Sequence, residues 1–520
     1  MLKQVQHDEF FNKLIKMYPM QNNDKKEIVK SIRQLSSGFN TKCKELAVIL
    51  AAGHGKRIKS QRSKMLHTIW GVPTVERVHN ACTNAVKGIN SVVVIGIKAL
   101  DVLTVLGKRT NTAYAYQEEQ HGTGHAVQVA LKNIKNFPGD GIVYVLPGDM
   151  GLIDAETLSS FRKSFVESQA DMIVLTGIFK GDPKENNYGR ILRVKEFDTT
   201  GMRSFSDKGK VIEILEHKDI LALPADEPYE ASYKGSKYSF TKEELINNNE
   251  YNSGVFAFRY SKLKELISKL KSDNIQKEIY LTDLISLFNE KNYSVAAVSP
   301  DKDYVVMGFN NKSVLKEMEA IARKNVYEKL KDIIEIEDPD DFFIHENVVE
   351  DILKADKKYT ALDVVVGKGV HIGKNVNLNF NLQLGKDVFV DGKVVFGKNV
   401  SVSQNVHLSC YSGQTLKIGN DVQILWGDII KGNIVIGDGS RIESSVNMTG
   451  SDEFPLRIGK NVLIKGTSYI FGSKIADNLF IEHSILVKKK VRAVKDKKGK
   501  IQPVRYFVPE SEGERSIQKI

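Results

Sequence analysis

Apolar residues follow two different patterns along the 520-residue chain. In the first pattern, short apolar runs alternate with longer helix-compatible segments, and the runs cover residues 46–51, 91–97, 112–116, 142–146 and 172–178. Continuous apolar runs are typical of buried parallel strands, and strands separated by helices indicate a doubly wound α/β sheet. We therefore predict a mostly parallel α/β domain over residues 45–312, with ligands beyond the carboxyl ends of its strands.

The second pattern is an apolar residue at every sixth position. It comprises Val366, Ile372, Leu378, Leu384, Val390, Phe396, Val402, Leu408, Ile418, Ile424, Ile430, Ile436, Ile442, Met448, Ile458, Ile464, Ile470, Ile475, Ile481 and Val487. A six-residue period predicts a parallel β-helix, in which three hexapeptides form one triangular coil. We predict this β-helix over residues 356–487, with inserted loops at 409–417 and 449–457.

Three flanking segments lie outside these patterns. Residues 1–44 are predicted as an amphipathic helical extension that ends at 36–38, and its apolar positions are Phe10, Phe11, Leu14, Ile15 and Met17. Residues 313–355 combine a charged helix with an acidic stretch at 335–341, which we interpret as a linker. Residues 488–520 form a basic C-terminal tail.

The formal charge of +11 is concentrated at the two ends of the chain. Residues 488–500 contain eight basic residues and one acidic residue, and residues 1–44 contain nine basic and four acidic residues. The rest of the chain is close to neutral, so the high pI does not indicate a nucleic-acid enzyme. The basic tail could contact an acidic partner or a membrane surface, although a solvated hairpin around Lys498 and Gly499 is the favoured interpretation.

Cysteine usage and hydropathy indicate a protein of the reducing cytoplasm. Cys43, Cys82 and Cys410 are far apart and in no CxxC spacing, which indicates neither a disulfide framework nor a zinc site. The N-terminus has no apolar signal-peptide core, and no stretch is long enough to span a membrane.

The segment that follows the first apolar run combines a glycine turn with two cations. Ala52, Gly53 and Gly55 lack bulky side chains, so their backbone N–H groups can approach an anion closely. Arg57 and Lys64 follow, and an arginine fork with a lysine point charge suits a triphosphate. The spacing matches neither a Walker A loop nor a dinucleotide fingerprint.

Residues 50–67 resemble the signature LAAGxGTRMxSxxPKxLH of sugar-nucleotide pyrophosphorylases, most closely that of N-acetylglucosamine-1-phosphate uridylyltransferases. The resemblance implies that Ala52, Gly53 and Gly55 bind the nucleotide and that Arg57 and Lys64 act in catalysis. The sequence departs from the signature at Lys56, where Thr is usual, and at Ser63, where Pro is usual. These departures affect the stiffness of the loop but keep its charge pattern.

Two further motifs resemble the base and metal sites of the same family. Residues 117–125, QEEQHGTGH, resemble QxxQxGTGHA, which implies that Gln117, Gln120, Gly122 and Thr123 bind the uridine nucleotide. Asp149 in the Gly-Asp pair after the fourth apolar run, together with Asn310, matches the family's metal-binding residues. A carboxylate, an amide oxygen, phosphate oxygens and waters can complete the oxygen shell that Mg²⁺ prefers. Asn311 remains an alternative to Asn310.

Four motifs resemble the family's sugar pocket, in the family's order. They are YGRI at 188–191, EHKD at 216–219, NSG at 252–254 and YLTD at 280–283, and they imply sugar contacts from Gly189, Glu216, Asn252 and Tyr280. Buried groups that bond sugar hydroxyls and the N-acetyl group reject analogues that leave them unpaired.

The resemblance implies that UTP and N-acetylglucosamine 1-phosphate form UDP-N-acetylglucosamine and pyrophosphate, with Mg²⁺ as cofactor. Glucose 1-phosphate remains an alternative sugar substrate.

The β-helix resembles that of hexapeptide acyltransferases, which is left-handed and commonly trimerises, so a homotrimer is expected. A bifunctional enzyme that also acetylates glucosamine 1-phosphate with acetyl-CoA is an alternative. We favour an oligomerisation rod, because residues 356–487 contain no match to the family's acetyl-transfer loop; His371, His407 and His483 would be the candidate bases.

Overall fold

The computed structural model describes residues 25–53, 55, 58–134, 137–358 and 361–507. The predicted apolar face over residues 10–17 therefore lies outside the described residues. The chain divides into two compact units, Met1–Met318 and Glu319–Ile520. No helix among the described residues is long and apolar enough to cross a bilayer.

The first unit is an α/β fold. Its strands are β1 Glu45–Ala51, β2 Thr68–Ile69, β3 Val72–Pro73, β4 Asn90–Ile95, β5 Thr112–Tyr116, β6 Ile142–Pro147, β7 Met172–Ile178, β8 Arg190–Arg193, β9 Val211–Leu215, β10 Tyr229–Tyr233, β11 Ser236–Phe240, β12 Glu250–Arg259 and β13 Val295–Val298. Its helices are α1 Lys25–Leu35, α2 Thr74–Ala85, α3 Ala99–Leu106, α4 Thr123–Lys132, α5 Ala155–Glu167, α6 His217–Ala222, α7 Lys242–Asn247, α8 Tyr260–Leu266 and α9 Leu284–Glu290. Short 3₁₀ turns occur at Lys64–Leu66, Pro183–Glu185, Phe205–Asp207, Ile267–Lys269 and Asp303–Val306. Helix α10 spans Lys312–Leu330.

Seven strands of the central sheet lie in the order β13-β7-β12-β6-β1-β4-β5, with β8 and β9 attached beside β12. Neighbouring strands β5, β4, β1 and β6 are parallel. Strand β12 is inserted antiparallel between β6 and β7. The predicted doubly wound, mostly parallel fold is confirmed, and the antiparallel strand β12 brings residues from later in the chain to the same edge.

Two apolar layers cover the faces of this sheet, which explains why its central strands are apolar at every position. Val48 packs on one face and Ile49 on the other, and both are fully buried. Helix α1 adds Ile28 to the layer on the Ile49 side. A third, smaller core lies between β8–β11 and α7. Alternate side chains of one strand thus serve different cores.

The second unit is a β-helix with three walls of parallel strands. The first wall contains β14 Glu335–Ile336, β16 Val364–Val366, β18 Leu382–Leu384, β21 Val400–Val402, β24 Gln423–Ile424, β27 Arg441–Ile442, β30 Leu463–Lys465 and β33 Phe480–Glu482. The second contains β15 Phe343–Ile344, β17 His371–Ile372, β19 Phe389–Asp391, β22 His407–Ser409, β25 Ile429–Gly432, β28 Asn447–Gly450, β31 Tyr469–Phe471 and β34 Ile485–Val487. The third contains β20 Val394–Val395, β23 Leu416–Ile418, β26 Ile434–Ile436, β29 Leu456–Ile458, β32 Lys474–Ile475 and β35 Lys490–Val491. Helix α11, Glu346–Asp356, is inserted after β15. The predicted left-handed β-helix is confirmed.

Short polar residues turn the corners of the β-helix. Asn381, Asn399 and Asp421 have positive φ angles of 53°, 57° and 56°. Their side chains form a ladder between coils, in which the Asn381 amide donates to Asn399 Oδ1 over 3.2 Å and the Asn399 amide donates to Asp421 Oδ1 over 2.8 Å. Asn and Asp tolerate this left-handed conformation better than other side chains because they bond locally.

The ends of the β-helix differ from the six-residue register. Val487 is exposed and Leu486 is buried instead, because the final apolar step is five residues long rather than six. In the first coil Leu378 is only half-buried, whereas Val376 is fully buried. Strand β14 pairs with β16 in the first wall, and β15 pairs with β17 in the second wall. The β-helix therefore begins earlier than residue 356.

Candidate active site

The predicted site residues follow strands that end at one edge of the central sheet. The glycine turn follows β1, Gln117 follows β5 and Asp149 follows β6. Strand β12 runs in the opposite direction, so Asn252, near its start, reaches the same edge. The carboxyl ends of parallel strands therefore collect residues that are far apart in the sequence.

Gly55 and Lys64 are in direct contact within the glycine turn. Gly55 has a φ of 61°, and a Cβ atom there would lie 2.7 Å from the Cβ of Lys64, so only glycine fits. Lys64 begins a 3₁₀ turn whose next two residues, Met65 and Leu66, are buried. This packing fixes the backbone from which the Lys64 side chain extends. Ala52 is buried and Gly53 is exposed.

Lys64, Asp149 and Asn310 converge on one point. The Lys64 ammonium forms an ion pair with Asp149 Oδ2 and donates a hydrogen bond to Asn310 Oδ1 over 2.9 Å. The Lys64 and Asp149 side chains are each only 12% exposed, so water screens this pair less than a surface pair. No motif in the sequence predicted a contact between this lysine and the two predicted metal ligands.

The oxygen donors at this point fit a magnesium ion. Asp149 supplies a carboxylate and Asn310 an amide oxygen, and both face the same ammonium group, so both oxygens already surround a cation. Mg²⁺ binds through one or two protein oxygens and takes its other ligands from phosphates and water. No cluster of three or more His, Cys, Asp or Glu side chains suited to a metal occurs among the described residues.

Asn310 and Asn311 have different surroundings. The side-chain oxygen of Asn311 accepts hydrogen bonds from Val314 N over 2.9 Å and Ser313 Oγ over 2.8 Å. That oxygen is therefore used at the start of α10, whereas the Asn310 oxygen faces Lys64. This arrangement favours Asn310 as the ligand.

Two aromatic residues that the sequence analysis did not select complete this region. The Lys64 ammonium lies 5.4 Å from the centroid of the Phe309 ring, within the range of a cation–π interaction. The Tyr188 hydroxyl donates to the carbonyl of Gly308 over 3.2 Å, and its ring stacks on Tyr251 at 4.6 Å. Tyr188 thus links the YGRI segment to the loop that carries Asn310. The sequence feature that could have identified Tyr188 is its position next to Gly189 in the YGRI motif.

The loop predicted to read the base is fixed from two sides. The Gln117 side chain is 3% exposed, and its amide donates to the Gly122 carbonyl over 3.3 Å. Gly122 has a φ of 104°, and a Cβ atom there would lie 2.6 Å from the carbonyl oxygen of Ile279. The Thr123 hydroxyl accepts a hydrogen bond from Leu281 N over 3.1 Å. Gln120 is half-exposed.

Gly189, Glu216 and Asn252 lie together. Asn252 N donates to the Gly189 carbonyl over 2.9 Å, and a Cβ atom at Gly189 would lie 3.1 Å from Glu216 Oε1. The Asn252 side-chain oxygen accepts a hydrogen bond from Gly254 N over 2.8 Å, which leaves its amide N–H groups for a ligand. Tyr280 is buried, and its hydroxyl accepts a hydrogen bond from Gln276 Nε2 over 2.6 Å. The structure therefore brings the predicted sugar residues into one pocket wall.

Several carboxyl groups lie close together beside these residues, and burial is the main cause of the raised pKa values of Glu216 and Asp283. Burial, with Asp219 and Asp283 nearby, raises the pKa of Glu216 to about 7. Burial, with Asp219 and Glu213 nearby, raises the pKa of Asp283 to about 6. Perturbed carboxyl groups of this kind are typical of ligand sites. Asp283 was visible only as the last residue of YLTD, and Glu213 belongs to no predicted motif.

Arg57 lies outside the described residues, so its predicted role stays a prediction. The remaining predicted residues lie in one contiguous region, and the hydrogen bonds of Tyr188 and Thr123 join its parts. This edge of the doubly wound sheet places a largely buried lysine and two side-chain oxygens beside a glycine turn, which suits a nucleotidyltransferase.

Comparisons with known proteins agree with this class. Residues 47–184 match the family model of the MobA-like NTP transferase domain. The chain is 32% identical over 428 residues to the bifunctional protein GlmU of Acetivibrio thermocellus, covering 80% of this chain and 81% of that protein. It is 31% identical to GlmU of Caldanaerobacter subterraneus, covering 84% and 91%, and 29% identical to GlmU of Clostridium novyi, covering 86% and 94%. The chain belongs to the GlmU family.

Membership of this family confirms the predicted class of enzyme. The chain is a nucleotidyltransferase that joins a uridylyl group to a sugar 1-phosphate. It takes a nucleotide and a sugar phosphate as substrates.

Proposed function

We propose that this chain forms UDP-N-acetylglucosamine and pyrophosphate from UTP and N-acetylglucosamine 1-phosphate, using Mg²⁺. The observation that supports this most strongly is the convergence of Lys64, Asp149 and Asn310 beside the glycine turn. A triphosphate placed on the turn would meet a flexible ammonium and two oxygen donors at the carboxyl edge of the sheet.

The reaction is an in-line attack by the sugar-phosphate oxygen on the α-phosphorus of UTP. No protein nucleophile is required, so the chain contributes position and electrostatic stabilisation. The backbone of Ala52, Gly53 and Gly55 cradles the phosphates, and Lys64 stabilises the negative charge that shifts to the leaving pyrophosphate. Asp149 and Asn310 would hold Mg²⁺, which would supply positive charge to offset the negative charge of the phosphates. Arg57 is proposed as a second cation at the triphosphate.

Gln117 is proposed to read uracil. Its NH₂ group contacts the Gly122 carbonyl and His125 Nδ1, so its side-chain oxygen is the group that can accept a hydrogen bond from the N–H of uracil. The amide is held at the end of β5 by its bond to Gly122, so its direction is set before the base arrives. Gln120, Gly122 and Thr123 complete this part of the site.

Glu216, Asn252, Gly189 and Tyr280 are proposed to bind the sugar. Glu216 can accept from hydroxyl groups, and the free amide N–H groups of Asn252 can donate to the N-acetyl carbonyl. Gly189 leaves room beside Glu216 because it has no side chain. A hydrogen-bonding pocket of this kind discriminates strongly against substrates that leave its groups unpaired.

A substrate panel tests this proposal. Pyrophosphate release is measured with UTP, CTP, ATP and TTP, each combined with N-acetylglucosamine 1-phosphate, glucose 1-phosphate and glucosamine 1-phosphate. We expect UTP with N-acetylglucosamine 1-phosphate to give the highest kcat/KM. Preference for glucose 1-phosphate would overturn the sugar assignment, and preference for another nucleotide would overturn the role of Gln117.

The β-helix is proposed to form a homotrimer through its second wall. Ile429, Tyr469 and Ile485 lie in register on that wall and are 46%, 41% and 36% exposed in the single chain. Trp426 is also exposed. Asn447 lies between Ile429 and Tyr469 in the same register, so these apolar side chains form a patch with one polar residue in it, and this patch is proposed to contact further copies.

Light scattering of the full-length chain should give the mass of a trimer. Tyr469→Lys should lower that mass, while Gln423→Lys, a change at an exposed residue of the first wall, should leave it unchanged. A monomeric mass for the parent would refute the proposal.

The expected cytoplasmic location remains a prediction.

A further inference from the structure

Lys64 occupies the position between the two oxygens proposed to hold the metal. Its ammonium pairs with Asp149 Oδ2 and bonds Asn310 Oδ1 over 2.9 Å. The Phe309 ring lies 5.4 Å from the same ammonium. A lysine that served only to hold phosphates would not need to contact both of these oxygens.

A divalent cation and this ammonium exclude one another. Both require the same carboxylate and amide oxygens, and two positive charges a few ångströms apart repel strongly in a site that water screens poorly. An ammonium is a compact charge on a flexible four-carbon stem, so Lys64 can leave Asp149 without movement of the backbone. A triphosphate on the adjacent glycine turn would offer it stronger anionic partners.

We propose that Lys64 is a resident counter-ion that keeps the metal site closed until UTP draws it onto the phosphates. This inference rests on the proposed function of the site. Because Lys64 competes with the metal and is removed by the nucleotide, nucleotide binding and metal binding favour one another. Before UTP binds, only the molecules with Lys64 displaced can bind the metal. The apparent metal affinity is therefore the intrinsic affinity multiplied by the fraction of such molecules.

Binding of Mn²⁺ without nucleotide tests this inference directly. Free Mn²⁺ is measured by electron paramagnetic resonance while the metal is titrated into the full chain. Lys64→Met should bind Mn²⁺ at least about 10-fold more tightly than the parent, because the competing charge is gone. Lys64→Arg is the matched control and should bind as weakly as the parent. The double variant Lys64→Met with Asp149→Asn should lose the gain.

Two outcomes of this titration would overturn the inference. One is a Lys64→Met affinity no higher than that of the parent. The other is a gain that persists when Asp149 is also replaced, since the metal would then be bound elsewhere. Loss of the Mn²⁺ complex with UTP in Asp149→Asn supports the proposed metal site by itself. If that complex survives, the proposed function of Asp149 fails, whatever Lys64 does.

A second measurement needs no variant. A crystal structure of the parent with UTP and a chelator should show Lys64 Nζ on a phosphate and away from Asp149. An ammonium that remains on Asp149 in that complex would overturn the inference, even if the Lys64 variants failed to fold.

Discussion

The two units of this chain place their polar side chains in opposite ways. In the α/β unit, Lys64, Asp149 and Gln117 are largely buried at the edge of the sheet, where the substrates are proposed to bind. In the β-helix, the polar side chains bond the next coil, as Asn399 does with Asp421. The polar groups proposed to act on the substrates lie in the first unit, whereas those of the second unit stabilise the contact between coils.

The histidines of the β-helix illustrate the same difference. His371 is stacked between Phe343 and Phe389 at 4.4 and 4.7 Å, and His407 stacks on Phe389 at 4.7 Å. The His407 ring also bonds the Ser409 hydroxyl over 2.9 Å, and burial lowers its pKa. Such rings contribute to packing between coils.

The largest expected effect is on the metal ligand of the first unit. Asp149→Ala should lower kcat by about 10³-fold, because the variant loses the carboxylate proposed to hold the Mg²⁺ that offsets the negative charge of the phosphates. Its circular dichroism spectrum should match that of the parent, and the same change at exposed Asp140 is the control. Magnesium-dependent activity within tenfold of the parent would contradict the role of Asp149.

A core residue of the β-helix should affect stability instead of catalysis. Ile418 is 1% exposed and pairs with Ile436 in the next coil. Ile418→Ala should lower the free energy of unfolding by about 2–5 kcal/mol, measured by urea denaturation. Lys417→Ala changes an exposed neighbour on the same strand and should have little effect. Reduced kcat/KM for uridylyl transfer in folded Ile418→Ala would show that the two units are not functionally separate.

The base-reading residue should affect selectivity more than phosphate binding. Gln117→Ala should reduce the preference for UTP over CTP by about 10-fold, since one well-placed amide contact contributes ~1–3 kcal/mol to base discrimination. Inhibition by pyrophosphate should change little. A variant that still rejects CTP as the parent does would assign base recognition to another group.

A buried carboxyl in the β-helix should give a pH-dependent stability. Asp428 is fully buried; Val446 N donates to its Oδ1 over 2.8 Å, and burial raises its pKa to about 8. The folded state therefore favours the neutral form, so stability should fall as pH rises from about 4 toward 8. Asp428→Asn should remove most of this slope in urea denaturation at pH 5 and pH 8. An unchanged slope would mean that Asp428 titrates normally.

The smallest expected effect is the absence of a reaction. The stacked histidines and the lack of the family's acetyl-transfer loop predict no release of free coenzyme A from acetyl-CoA with glucosamine 1-phosphate. Thiol release that depends on the sugar phosphate, and is lost in His371→Ala, His407→Ala or His483→Ala, would identify a second active site in the β-helix.

Much of the fold could be predicted because burial on both faces leaves a clear pattern. The apolar runs at 112–116 and 172–178 match β5 and β7 in both bounds. Strand β12 lies outside all five predicted apolar runs, so neither its presence nor its antiparallel direction was predicted. Val487 was predicted as the last buried position, but Leu486 is buried instead. A six-residue period cannot predict the five-residue step that occurs in the last coil.

The motifs predicted the candidate site residues, but not the contacts between them. Asp149 and Asn310 were selected as ligands, yet the pairing of both with Lys64 depends on the strand order that brings them together. Glu213 lies outside every motif, and only the packing of β9 against α9 places it near Asp283. The choice between Asn310 and Asn311 also needed the structure, because it depends on which amide caps a helix.

The most direct test of the site is a crystal structure with UTP and Mn²⁺, in which anomalous scattering locates the metal. We predict a single strong peak bonded directly to Asp149 and Asn310, with phosphate oxygens of UTP completing the shell. A peak that contacts Asn311 instead of Asn310, or one that lies away from Asp149, would contradict this prediction.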